Sequence, residues 1–592
     1  MTLLALRRAR ALAAVSVLAL SGALLAACNS EGDIALEANE GRHGSQDAAG
    51  QQMASGEHGA HGGGSAAAAP APEVKMPLFN DLGSHTHKIS TKNRDAQAYF
   101  DQGYRLLFNF NHNAAILSFK EALKRDPNCA MCWWGIAFAY GPNINMPMMP
   151  EAIQPAFEAV QNARRLAPQA SEAEQAYIAA IAKRYTNSAS QDRHALDVAF
   201  AEAMEQVAED YPNDLDAQVL YAEALMDTSP WNYWQADRKT PKAGMEDLVP
   251  TLEAVLKKNP RHVGAEHLYI HAVEASANPG RAERYADLLR PQMPGAGHLV
   301  HMPSHIYNRI GRYSDSVRDN QEAAEADEAY FAATNDLGMY AGMYYVHNLH
   351  FVWTSATTEG RSATATQFAG KVVKATPPEF AKAAPPAEIF LPTLLYAQLR
   401  FGKWDEVLRT PKPAGQFAFA TAMYHYAQAR AFAAKGDIDR AESELALVQT
   451  SFTKGEAERF KQFDVPGQEL VDIAVHVAQA EIYRAQRKTK DEILELQEAV
   501  KLQDALKYME PPYWDFPIRQ YLGAALLQAG RAKEAEKVYR DDLREWQKNG
   551  WSLFGLMEAL KRQGKAKEAR KVKKDFDLAW GRADVTLTQS RF

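Results

Sequence analysis

The sequence predicts an all-α fold: a solenoid of repeated helical hairpins behind a disordered N-terminal tether. Two observations carry this reading. From residue 76 onward Ala, Leu, Glu and Lys recur at a helical period with few runs of β-branched residues, the pattern of helices with one apolar face. Within that stretch, small, aromatic and proline positions return at fixed offsets about every 34 residues. A chain of 592 residues, 46% of them hydrophobic, is long enough to bury many such units against one another.

The tether comes first. Residues 1–27 read as an export signal, with Arg7, Arg8 and Arg10 followed by an apolar run too short and alanine-rich for a membrane span. The run ends in "LLAAC", which resembles a bacterial lipobox and implies lipidation at Cys28 and anchorage in the cell envelope. Asn29 is not the aspartate that signals inner-membrane retention, so the resemblance implies the outer membrane, facing the periplasm. Loss of the signal shifts the formal charge from −7 to about −10, which disfavours nucleic-acid partners, since those are held by neutralising phosphates with Lys and Arg. Residues 28–75 are Gly, Ala, Ser, His and Pro with almost no large apolar side chain, so they cannot offset the entropy of ordering and should form a flexible spacer. His58 and His61 in "EHGAHGGG" read as part of that solvated linker, with loose metal capture as the alternative.

The repeats follow, over residues 76–592. Gly103 is followed by Ala115, Phe119, Ala122 and Pro127; Gly360 by Ala365 and Pro377; Gly436 by Ala441, Leu445 and Val448; Gly523 and Gly530 by Ala535 and Tyr539; and Gly564 by Ala569. This spacing resembles the tetratricopeptide repeat (TPR), a helical hairpin of 34 residues whose copies stack into a superhelix with a concave face. The resemblance implies roughly a dozen hairpins, with insertions at residues 141–151 and 227–244.

The repeat register gives the histidines addresses. His267 to His301 and His271 to His305 are each 34 residues apart, and His298 and His301 recur as His347 and His350 after 49, one period plus an insertion. The pairs are spaced i,i+3 or i,i+4 and share a helical face. In the TPR family the corresponding positions line the groove. The resemblance therefore implies that His267, His271, Glu274, His298, His301, His305, His347 and His350 lie along it, joined by Asn308 and Arg309. Three readings stay open: groove wall, a polar site for a peptide or a carboxylate chain end, and a Zn or Cu site built from imidazole pairs. Pro303 falls inside the first helix of its unit, so that helix must restart or kink there.

Cys129 and Cys132 sit at a helix start. No βαβ pattern surrounds them and no histidine follows, so a structural disulfide or buried thiols is expected rather than thioredoxin-like chemistry or haem attachment. Trp133 and Trp134 read as packing plus groove wall, and Trp551 as a candidate groove contact. There is no nucleotide-binding glycine loop, nucleophile elbow or HExxH, so enzyme activity is unsupported. The sequence is thus read first as an envelope-anchored scaffold or adaptor, binding a protein or peptide partner and requiring no cofactor. The alternative is a protein binding Zn or Cu through the histidine cluster, or a metalloenzyme.

Overall fold

The computed structural model describes residues 74, 76–188, 192–514 and 516–592. The export signal, Cys28, His58, His61 and nearly all of the expected spacer lie outside these residues. Every regular element among the described residues is a helix, so the all-α expectation holds. None of these helices is long and apolar enough to cross a membrane.

Successive helices pack as antiparallel hairpins. The first pairs Arg94–Phe108 with His112–Arg125, and the last pairs Gly550–Arg562 with Ala566–Ala579. Polar caps start many of them: Asn93 accepts the amides of Asp95 and Ala96, Asn111 that of Ala114, and Ser171 with Glu174 forms a capping box.

The repeat pattern explains the packing. Phe119 is fully buried between Gly103 of its own hairpin and Gly135 of the next, where an added Cβ would stand 2.6 and 2.5 Å from the ring. Tyr539 occupies the same place between Gly523 and Gly555. A small residue on one helix thus admits the aromatic ring of its partner, and the next helix closes over that ring. Ala115, Ala122, Ala441 and Ala535, all fully buried, let the paired helices approach.

Three features turn this array into something other than an open groove. Residues 76–92 run extended against the first hairpins, with Met76, Leu82 and Ile89 buried and Thr86 donating to Asp101 at 2.8 Å. Residues 508–510 approach the 263–310 region, where the Tyr508 hydroxyl lies 3.2 Å from Glu274 Oε2. The last hairpins pack back onto the middle of the chain: the Tyr313 hydroxyl donates to the Gln547 carbonyl at 3.0 Å, and Gly360 lies under the Trp580 ring.

Trp551 belongs to that return contact, which corrects its assignment to the groove. It is fully buried, its Nε1 donates to the Thr357 carbonyl at 3.0 Å, and the Arg400 guanidinium stacks 3.7 Å from its ring centre. Trp134 is likewise core. Cys129 and Cys132 form a disulfide across 5.3 Å between Cα atoms, and Cys129 Sγ accepts the Cys132 amide at the helix start.

Candidate metal centre

Four helical segments carry the histidines: Val263–Glu274, Gly297–His301, Pro303–Ile310 and Val346–Thr358. Pro303 resolves the predicted break as a restart. It opens a new helix where its missing N–H costs nothing, and Met302 keeps helical dihedrals, so His301 and His305 remain one turn apart on nearly one axis.

The rings do not line an open groove. His267, His271, His298, His301, His305 and Glu274 are each at most 1% exposed, which corrects the expectation of a solvent-facing wall. They lie under the chain's own aromatic side chains. Phe110 packs on His267 and His298 at 4.5 and 5.4 Å between ring centres; Tyr344 edges onto His298; and Phe351 contacts His301, His305 and His347 within 4.9 Å.

Inside this enclosure the imidazoles form two trios. His267, His271 and His298 make one and His301, His305 and His347 the other, with ligand atoms in each lying within 4.8 Å of one another. His350 joins neither, because its ring stacks on Trp353 and is edged by Phe390. Asn308 accepts from the Ser355 hydroxyl at 2.9 Å, while Arg309 covers the Tyr508 ring and reaches within 3.8 Å of Glu545. Both residues pack beside the chamber and take no part in it.

Glu274 lies between the trios. One carboxylate oxygen accepts His271 Nδ1 at 2.7 Å, and the other is 2.7 Å from His305 Nδ1. Burial pushes this carboxyl up, but His305 and His271 outweigh it and hold it at about 2, so it is ionised and can only accept. His271 Nδ1 therefore carries a proton and its Nε2 is a bare lone pair. That buried Nε2 has no hydrogen-bond partner among the described residues.

The second trio is pinned similarly. Asn320 donates through Nδ2 to the Ser316 carbonyl at 2.8 Å, which turns its Oδ1 toward His301 Nδ1 at 2.6 Å. His301 Nδ1 must then be protonated and its Nε2 bare. That Nε2 faces His305 Nε2 at 2.8 Å. An ordinary N–H···N hydrogen bond with the proton on His305 Nε2 accounts for that approach, and a cation held between the two nitrogens would replace it. In the first trio His298 Nε2 and His267 Nε2 face each other at 3.1 Å. Two imidazoles bound to one tetrahedral ion at about 2.0 Å hold their nitrogens about 3.3 Å apart, which the first pair approaches, while the second stands at hydrogen-bond distance.

The protonation states agree. Burial, reinforced by neighbouring imidazoles, lowers His267, His298, His301 and His347 well below the ordinary histidine range. Burial also lowers His271, with Glu274 offsetting part of the shift. Neutral imidazole is the form that binds metal.

A second histidine group was missed in the sequence. His85 Nε2 and His262 Nε2 lie 3.0 and 3.1 Å from Asp216 Oδ1, and His87 Nδ1 lies 2.7 Å from Oδ2, beside a cleft of about 560 Å³. His262 Nδ1 accepts the Ala265 amide as a helix cap, which leaves the proton on Nε2. Asp216 thus accepts from His85 and His87 and fastens residues 85–87 to the array, with His262 Nε2 packed beside its carboxylate. Only the His-x-His at 85–87 could have signalled it, since Asp216 and His262 come from distant helix starts. Asn320, Tyr508 and Glu510 beside the main chamber carried no such signal.

No protein family and no curated protein matches the chain. Among solved structures, similarity is found to human IFIT1 in a dimer with PPP-AAAA (13% identity, TM-score 0.31, covering 82% of this chain and 91% of that one). It is also found to yeast Tom70 (13%, 0.27, 81% and 96%) and to the Cut9–Hcn1 hetero-tetramer of the APC/C (12%, 0.27, 82% and 94%). At these scores the likenesses bear on neither ligand nor activity.

Proposed function

We propose that this protein binds transition-metal ions in a closed histidine chamber at the centre of its helical array. The observation that carries the reading is the pair of bare imidazole nitrogens held by Asn320 and Glu274: the outer nitrogen of each ring is engaged by a carboxylate or an amide, which orients the inner one as a ligand. Imidazole-only sets suit zinc and copper. The chemistry such ions would supply is Lewis-acid or electron-transfer chemistry, and the chain contributes buried imidazole ligands under an aromatic cover. The test is metal analysis of the full chain purified without chelator, followed by reloading with Zn(II) or copper. Stoichiometric metal is expected, and its loss in the His271→Ala/His305→Ala double variant. No bound metal in either form would sink the reading.

A second reading keeps the repeat array as an envelope-anchored adaptor, lipidated at Cys28, that engages a protein or peptide on its outer surfaces. What supports it is the helical-hairpin fold itself, a preorganised surface of the kind that binds extended partners. The chamber histidines are too buried to make that contact. A pull-down from envelope extract with no specific partner would count against it, and mass spectrometry of the mature N-terminus tests the acylation.

A further inference from the structure

The chamber contains two ligand sets rather than one. Each supplies three imidazoles, and each has one pair of Nε2 atoms already facing, His267 with His298 and His301 with His305. The third member of each set comes from elsewhere, His271 one turn beyond His267 and His347 from the Val346–Thr358 helix. No ring belongs to both sets. What they share is Glu274, whose two oxygens reach one ring of each. The sets are neighbours: ring centres of His271 and His305 are 5.2 Å apart, and those of His298 and His301 are 5.7 Å apart.

Charge narrows the choice of ion. An imidazole ligand brings no negative charge, the surroundings are aromatic, and Glu274, the only carboxylate touching either trio's rings among the described residues, contributes at most one. A buried charge is costly unless compensated. Two monovalent ions would leave the chamber at least one positive charge in excess, whereas two divalent ions would leave at least three. Copper is the ion in the imidazole-binding class that is stable in the monovalent state, and three nitrogens suffice to hold it.

We infer, building on the metal-binding reading above, that the chamber holds a pair of Cu(I) ions, one in each histidine trio, with Glu274 as the positioning residue that couples the two sites. Two ligand triads joined by one carboxylate should fill together, so weakening Glu274 should affect both.

The experiment is anaerobic titration of the full chain with Cu(I) against a chromogenic Cu(I) chelator, with copper per chain as the readout. Two ions per chain are expected for the wild type, and one each for His271→Asn/His298→Asn and His305→Asn/His347→Asn. Glu274→Gln should lower affinity at both sites by about 10–100-fold, as loss of an orienting partner does elsewhere. X-ray absorption of the wild-type copper form should show about three nitrogen neighbours per copper near 2.0 Å, which needs no variant to fold. One Cu(I) per chain in the wild type overturns the two-ion inference while leaving the metal-binding reading standing. Two Zn(II) with no Cu(I) overturns the assignment of copper. No metal of any kind overturns both readings, and two ions in either double variant overturns the placement in the trios.

Discussion

Glu274 decides what the histidines around it can do. Were it neutral, His271 and His305 could take either tautomer and pair with one another. Ionised, it draws the Nδ1 proton of His271 toward itself and turns Nε2 inward. The same logic predicts a pH response. Buried His298 is held neutral in the fold, while in the unfolded chain it takes up a proton below about pH 6.5. The unfolded state then binds more protons, so this residue's contribution is present above pH 6.5 and is lost as pH falls. Several buried acids, among them Asp327 at about 8 and Glu510 at about 7, are pushed up by burial and act in the opposite sense, so the wild-type curve alone would not isolate the effect. The expected outcome is differential: in chelator, the stability difference between wild type and His298→Phe should shift against wild type by up to about 1.4 kcal/mol per pH unit below 6.5, read from urea midpoints at several pH values. Residue identity was legible in the sequence, which named all six imidazoles of the trios and Glu274. Tautomer was not, because it depends on how Asn320 and the carboxylate of Glu274 meet the rings of His301 and His271, which is decided only on folding.

Between elements, the hairpin step is set by a small residue admitting a ring. Gly135→Ala would place a methyl group 2.5 Å from Phe119, an overpacked contact with no free rotamer to absorb it. A loss of about 1–3 kcal/mol is expected, measured by urea unfolding. Gly311, with φ +75°, ends the Pro303–Ile310 helix against the backbone of Gln547 and is strained for any other residue. The glycine-to-aromatic offset was readable directly, and it placed Phe119 and Tyr539 correctly because a repeat copies local contacts along with sequence. The same register put His298 to His305 on a groove wall. That step failed because position within a hairpin says which way a side chain points but not what the distant chain lays over it.

Over the whole molecule, closure of the array turns a groove into an interior. Trp551, Tyr313 and Trp580 bind the last hairpins to the middle ones, and Tyr508 brings the C-terminal third against Glu274. Trp551→Ala should cost about 3–5 kcal/mol and, where the variant still folds, speed the exchange of chamber metal to an external chelator, followed by stopped-flow absorbance. Metal at 100 times its dissociation constant should stabilise the native chain by about 2.7 kcal/mol and raise the thermal midpoint, with chelator reversing it. The sequence by itself determined the helical-hairpin class, the contacts inside each hairpin and the recurrence of histidines on one helical face, because all three arise from residues within about one repeat of each other. Only the tertiary structure decided that those histidines are buried, that they divide into two trios around one carboxylate, and that Trp551 is core. The trios depend on helices from separate repeats converging, and the burial and the place of Trp551 on segments well over a hundred residues apart meeting, and a local pattern of spacing holds no information about such meetings.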